Sequence, residues 1–251
     1  MNDATVTDSV RTAGAAIGEA VGVFMVHPET VEQSLAAGYP DPFSAYFAGR
    51  AGVLGDVNAE TVTAAFVVFD PNFVRTCWEK GVAVHGAADG AKLYWDQAAA
   101  FGRRHLADAE GMDRLAAIGE KIIATAPDEE LPLFAGWRRM PLADDGPARA
   151  LQVMFVLREL RAGVHFNALA VSGVSPIEAH VLSKGPDYAS FMGWKKPFPD
   201  GAGKQDHLAD VETVTNHRMT ELINSAVAEG EFDELAQLSV SALALIKGEA
   251  P

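Results

Sequence analysis

Along this chain, apolar blocks are bounded by helix punctuation: proline just inside a start, glycine at a stop. Pro28 follows His27 and opens PETVEQSLAAG, which stops at Gly38. Asp70 and Pro71 open PNFVRTCWEKG, which stops at Gly81. Ser175, Pro176 and Glu178 form a capping box ahead of PIEAHVLSKG, which ends at Gly185. The stretch Thr61–Phe69 is β-branched and aromatic enough to suggest a strand. Asn58 before it and Asp70-Pro71 after it predict a buried helix instead. Further helices are predicted at about 87–106, 109–125, 147–172, 206–229 and 232–247. The Asp-Gly pairs at 89–90, 145–146 and 200–201 fall between helical or irregular stretches, so they predict no hairpins. The pattern predicts an all-α fold of about ten helices around a long, apolar central helix at 147–172. The Pro- and acid-rich segment 126–147 reads as a linker or lid, and 185–205 as irregular.

Composition narrows the classes. The chain has 251 residues and 49% hydrophobic residues, enough for a buried core. A single cysteine, Cys77, excludes a disulfide framework and a multi-cysteine zinc site. No apolar run approaches a membrane span, and the N-terminus carries no signal-peptide pattern, so the expectation is a cytoplasmic protein without a membrane partner. The net charge of −14 opposes nucleic-acid binding unless basic residues gather locally. The doublets Arg103-Arg104, Arg138-Arg139 and Lys195-Lys196 are scattered.

The candidate chemistry lies on the central helix, in LRELRAGVHFNAL. At 100° per residue, Arg158, Arg161 and His165 fall within about 60° of one another, with Glu159 and Asn167 on a neighbouring face. Polar groups in the middle of an apolar helix need partners. Two arginines and a histidine converging on a pocket suit a carboxylate or phosphate, with Glu159 or His165 as acid or base. A buried ion-pair network explains the same residues equally well. Arg50, preceded by Tyr46 and flanked by small residues at 48, 49, 51 and 52, either bonds helix-end carbonyls or points into that pocket. The histidines show no zinc or di-iron spacing, and no phosphate-cradling loop or nucleophile elbow is present. A lone axial histidine for haem would leave no sequence signature, and His165 or His27 could serve.

Three blocks resemble a family of actinobacterial helix-turn-helix proteins. YFAGRAGVLGDV (46–57) is similar to the family's YFAGRAAPLGPV, VTAAFVVFDPNFV (62–74) to VTATFYNFHPALV, and LRELRAGVHFNAL (157–169) to LREHRGDGHVAAL. GVSPIEAHVL (173–182) resembles the start of the family's winged-helix portion. The resemblance implies that Arg50, Arg158, Glu159, Arg161 and His165 line a pocket, but it supplies no reaction. Asp70 and Leu160 stand where the family pattern has histidine, and the winged-helix segment is cut down. The expected organisation is a helical domain over 1–172 and a C-terminal part over 173–251 resembling a truncated winged helix.

The functional expectation is a protein that binds a small anionic or partly apolar molecule in an internal pocket. Arg50, Arg158, Arg161, Tyr46 and Asn167 would hold the ligand. An enzyme using Glu159 and His165 in the same pocket is the alternative, and a DNA-binding regulator is disfavoured on charge. The apolar stripe Leu235, Leu238, Ala242, Leu245 predicts a packing face toward this chain or toward a second subunit in a homodimer.

Overall fold

The helix starts are set by side chains that accept hydrogen bonds from otherwise orphaned backbone N–H groups. Asp41, Asn58, Asp70, Asp145 and Ser175 each cap a helix in this way, four of them directly before proline or one residue short of it. At Ser175 the box is reciprocal, because Glu178 also accepts from the Ser175 N–H. The computed structural model describes residues 3–248. In chain order the helices are α1 (Asp3–Val26), α2 (Pro28–Ala36), α3 (Pro42–Ala51), α4 (Ala59–Ala65), α5 (Pro71–His105) and α6 (Met112–Thr125). They continue with α7 (Pro132–Trp137), α8 (Gly146–Val171), α9 (Pro176–Lys184), α10 (Pro186–Phe191), α11 (Gln205–Ala226) and α12 (Glu231–Ile246). The fold is all-α, and no strand occurs among the described residues.

The core surrounds α8, which packs against α1, α5, α6, α7 and α11. Its first half is buried on nearly every side, from Ala148 through Leu157. A helix buried on nearly every side is apolar nearly all round, as the stretch 147–157 is. The longest helix is α5, at 35 residues. It runs through Gly81, where a stop was expected, and breaks at Gly86, whose φ of 78° lies in the left-handed region. Gly81 has a packing reason: a Cβ there would sit 2.2 Å from the Ser44 carbonyl oxygen of α3.

The segment 126–147 is part of the core rather than a linker or lid. Leu131, Leu133, Phe134 and Trp137 are buried, and the Trp137 indole N–H donates to the Arg50 carbonyl at 3.0 Å. The short apolar middle of a Pro-rich stretch is enough to plug it into place. The C-terminal helices join the same core. The last helix, α12, packs on α1 and α6, and its stripe is used within this chain, with Leu235 and Ala242 buried there. Among the described residues no strand follows α10, so no β-wing is formed there. What remains is α9, a turn at Gly185, and the six-residue α10.

One stretch departs from the membrane expectation: Thr7–Val26 of α1 is long and apolar enough to cross a bilayer by length and composition. Its inner face, including Ala13, Ile17, Ala20, Val21 and Phe24, is buried in the core.

Candidate functional site

Two polar centres form around α8. The first is a buried ion pair. Arg50 enters from the last turn of α3 and grips Glu159 with two hydrogen bonds of 2.8 Å, from Nε and Nη2. Its Nη1 donates to the Tyr46 hydroxyl at 2.6 Å, and its guanidinium lies 4.7 Å from the centre of the Phe66 ring. The two side chains are 2% and 0% exposed. Arg158 adds a third donor to Glu159, at 3.0 Å. Burial alone would raise the Glu159 carboxyl, but the charges of Arg50 and Arg158 and their hydrogen bonds hold it below its ordinary value. Glu159 is therefore a fixed anion that accepts three charge-assisted hydrogen bonds.

The second centre faces a cavity. Bordered by α1, α3, α8, α9, α10 and α11 is a partly open cavity of about 1040 Å³ with a mostly apolar wall. Gly14, Gly18 and Gly22 recur every fourth residue on α1 and line it. A Cβ at Gly18 or Gly22 would meet nothing within 4 Å, whereas one at Gly14 would lie 3.2 Å from the Arg161 side chain. The bare helix face widens the cavity. Phe43, Phe69, Leu157, Met219 and Ile223 supply apolar surface, and Arg158, Arg161 and His165 supply the polar patch.

That patch is held by α11. Arg161 donates from Nη2 to Glu212 at 2.8 Å and to Asn216 at 3.3 Å. The other carboxylate oxygen of Glu212 lies 3.4 Å from His165 Nδ1. Thr215 Oγ1 also lies 3.4 Å from Nδ1, while its own hydrogen goes to the Val211 carbonyl at 2.7 Å. Burial lowers the His165 pKa; Glu212 opposes that lowering and Arg161 adds to it. Lys184 rests 4.4 Å over the Tyr188 ring, both lining the cavity.

The predicted site residues therefore separate. Arg158, Arg161, His165, Tyr46 and Arg50 line the cavity. Glu159 does not, and Arg50 spends its donors on Glu159 and Tyr46. Asn167 lies away from it, donating to the Glu130 carbonyl at 3.4 Å beside a minor pocket of about 140 Å³. His27 is not among the lining residues either; its Nδ1 accepts the Glu29 N–H at the start of α2. Sequence reasoning missed the Gly14/Gly18/Gly22 face, although its spacing is legible. It also missed Glu212 and Thr215, which nothing distinguishes from the other polar residues of α11.

Residues 10–231 match the helix-turn-helix family. The chain belongs to the helix-turn-helix family. No curated protein and no solved structure matches it. In this family member, the α9–Gly185–α10 unit forms part of the cavity wall, through His180, Lys184, Tyr188 and Phe191. It is fastened to the turn after α4, where the Val68 carbonyl accepts from both His180 Nε2 (2.7 Å) and the Trp194 indole (3.0 Å).

Proposed function

We propose that this protein binds a small, largely apolar molecule bearing an anionic or strongly accepting oxygen. The observation that carries the reading is the cavity itself, lined both by the glycine-bared face of α1 and by the Arg158, Arg161 and His165 patch. The apolar body would lie along Gly18 and Gly22, over which the space is open. The oxygen would take the donors that Arg158 does not spend on Glu159, where a charge-assisted hydrogen bond in an apolar wall is worth about 1.5–3 kcal/mol. Glu159 acts here by orienting Arg158, and Arg50 by neutralising Glu159.

The test is a titration with the apolar anion 8-anilinonaphthalene-1-sulfonate, read by its fluorescence. Saturable binding is expected, lost in Gly18→Trp, whose side chain would occupy the cavity, and weakened in Arg158→Ala. Binding that neither change alters would place the probe elsewhere and remove the reading. Native mass spectrometry of the purified protein then reports any molecule it already holds.

The family and the α9–α10 unit favour a second reading, DNA binding. At about 1.5 Å per residue α10 is only about 9 Å long, and the net charge is −14. Gel retardation of duplex DNA at low salt decides it: retardation that fades steeply with added salt supports it, and none at low salt removes it.

A further inference from the structure

We infer that His165 is a general base aimed into the cavity, suited to taking a proton from carbon next to the carbonyl of a bound apolar ligand. The inference rests on the cavity being a ligand site and adds an activity to it.

Hydrogen-bond accounting assigns the tautomer. Thr215 gives its only hydroxyl hydrogen to the Val211 carbonyl, so its oxygen can only accept from His165 Nδ1. Glu212, the second group beside Nδ1, is a carboxylate and also accepts. Nδ1 therefore carries the hydrogen, and Nε2 keeps a lone pair. Nε2 has no hydrogen-bond partner among the described residues, and His165 lines the cavity. Arg161 holds Glu212, Glu212 orients the ring, and the ring presents a base. This is the arrangement that keeps an imidazole in a productive tautomer. Arg161 and Glu212 are positioning residues. The charged groups facing the ring are Arg161 on its own helix and Glu212 on α11; α1 presents glycine and apolar residues there, and α9 brings His180 and Lys184 to the same cavity.

The step balances without a co-reactant. The C–H bond breaks, its proton goes to Nε2, and its electron pair forms a C=C bond as the carbonyl pair moves onto oxygen. The enolate oxygen would be stabilised by the Arg158 guanidinium. Return of the proton to the same or a conjugated carbon completes an exchange or an isomerisation.

Two measurements test this on the full chain. Nitrogen-15 NMR of the imidazoles should show His165 with hydrogen on Nδ1 and a bare Nε2 at neutral pH; hydrogen on Nε2 overturns the proposal. The second uses 5-nitrobenzisoxazole, which ring-opens to a coloured cyanophenolate when a base removes its C–H proton. Wild-type protein should accelerate the opening with saturation, and His165→Ala should lose about 10²–10⁴-fold in the rate at saturating substrate. Glu212→Gln should move the midpoint of the rate–pH profile downward, because it removes the charge that opposes burial; a purely structural role would leave the midpoint in place. Probe binding with no His165-dependent opening overturns the base and leaves the ligand site standing. Probe binding that ignores Gly18→Trp overturns both.

Discussion

Removing the Arg50 guanidinium tests how α8 tolerates its buried carboxylate. In Arg50→Leu, Glu159 loses two hydrogen bonds of 2.8 Å and keeps only the 3.0 Å bond from Arg158. Its side chain is 0% exposed, so those bonds are lost unless water enters from the cavity that Arg50 lines or from the minor pocket that Glu159 borders. Breaking one side of a buried pair costs about 3–5 kcal/mol, and the surviving Arg158 contact places this case near about 3 kcal/mol. For a chain of this size that is a fall of about 6–12 °C in Tm. Urea unfolding followed by far-UV circular dichroism gives the free energy, with an unchanged m-value confirming the same transition.

The double variant Arg50→Leu/Glu159→Leu should recover at least about 2 kcal/mol relative to the sum of the single changes, because neither charge is then left unpaired. Acid gives an independent check. The wild-type Glu159 carboxyl is held low, so its contribution is present above its ordinary value and is lost as pH falls. In Arg50→Leu, burial without Arg50 raises it, so the defect is smallest in acid and grows as pH rises through the raised value. The gap between the two proteins should narrow on acidification. An Arg50→Leu protein within about 1 kcal/mol of wild type, or strictly additive single changes, would refute the assignment of this pair as a coupled node.

Three further outcomes are expected. Gly81→Ala should destabilise by at least about 1–3 kcal/mol, seen as a lower Tm, because its Cβ meets the Ser44 carbonyl oxygen at 2.2 Å and backbone cannot step aside as a side chain can. Glu231, which joins α12 to Lys121 and Arg114 of α6, has its pKa pulled down to about 2, chiefly by the Lys121 hydrogen bond. Its contribution is therefore present above its ordinary 4.5 and lost as pH falls through about 2, so the Tm deficit of Glu231→Gln should vanish over that interval. His180 is held neutral, chiefly by burial, below its ordinary 6.5, so acidifying below 6.5 favours the unfolded chain; His180→Gln should flatten that part of the Tm–pH curve.

The helical class, several caps and the long central helix were legible because they are local. Proline at a helix start, an Asp or Asn cap and a Ser-x-x-Glu box act over four residues, and tertiary context did not override them at Asn58, Asp70 or Ser175. The polar stripe Arg158, Arg161, His165 was equally local, being fixed by 100° per residue. Which stripe member serves which purpose was not local. Arg50 and Glu159 are 109 positions apart, and only their packing converts two candidate pocket residues into a closed pair. Glu212 reaches His165 from a helix whose sequence is merely acidic, so only the crossing of α8 and α11 reveals which acid matters.

The sequence by itself determined that the chain is all-α, where several of its helices begin, and that α8 carries cations into an apolar interior. Tertiary structure decided how those cations divide, with Arg50 closed on Glu159 and Arg158, Arg161 and His165 turned to a cavity bared by three glycines of α1. The reason is range: helix geometry aligns neighbours three and four residues apart, whereas a cavity exists only where several helices, each correct alone, fail to fill the space between them.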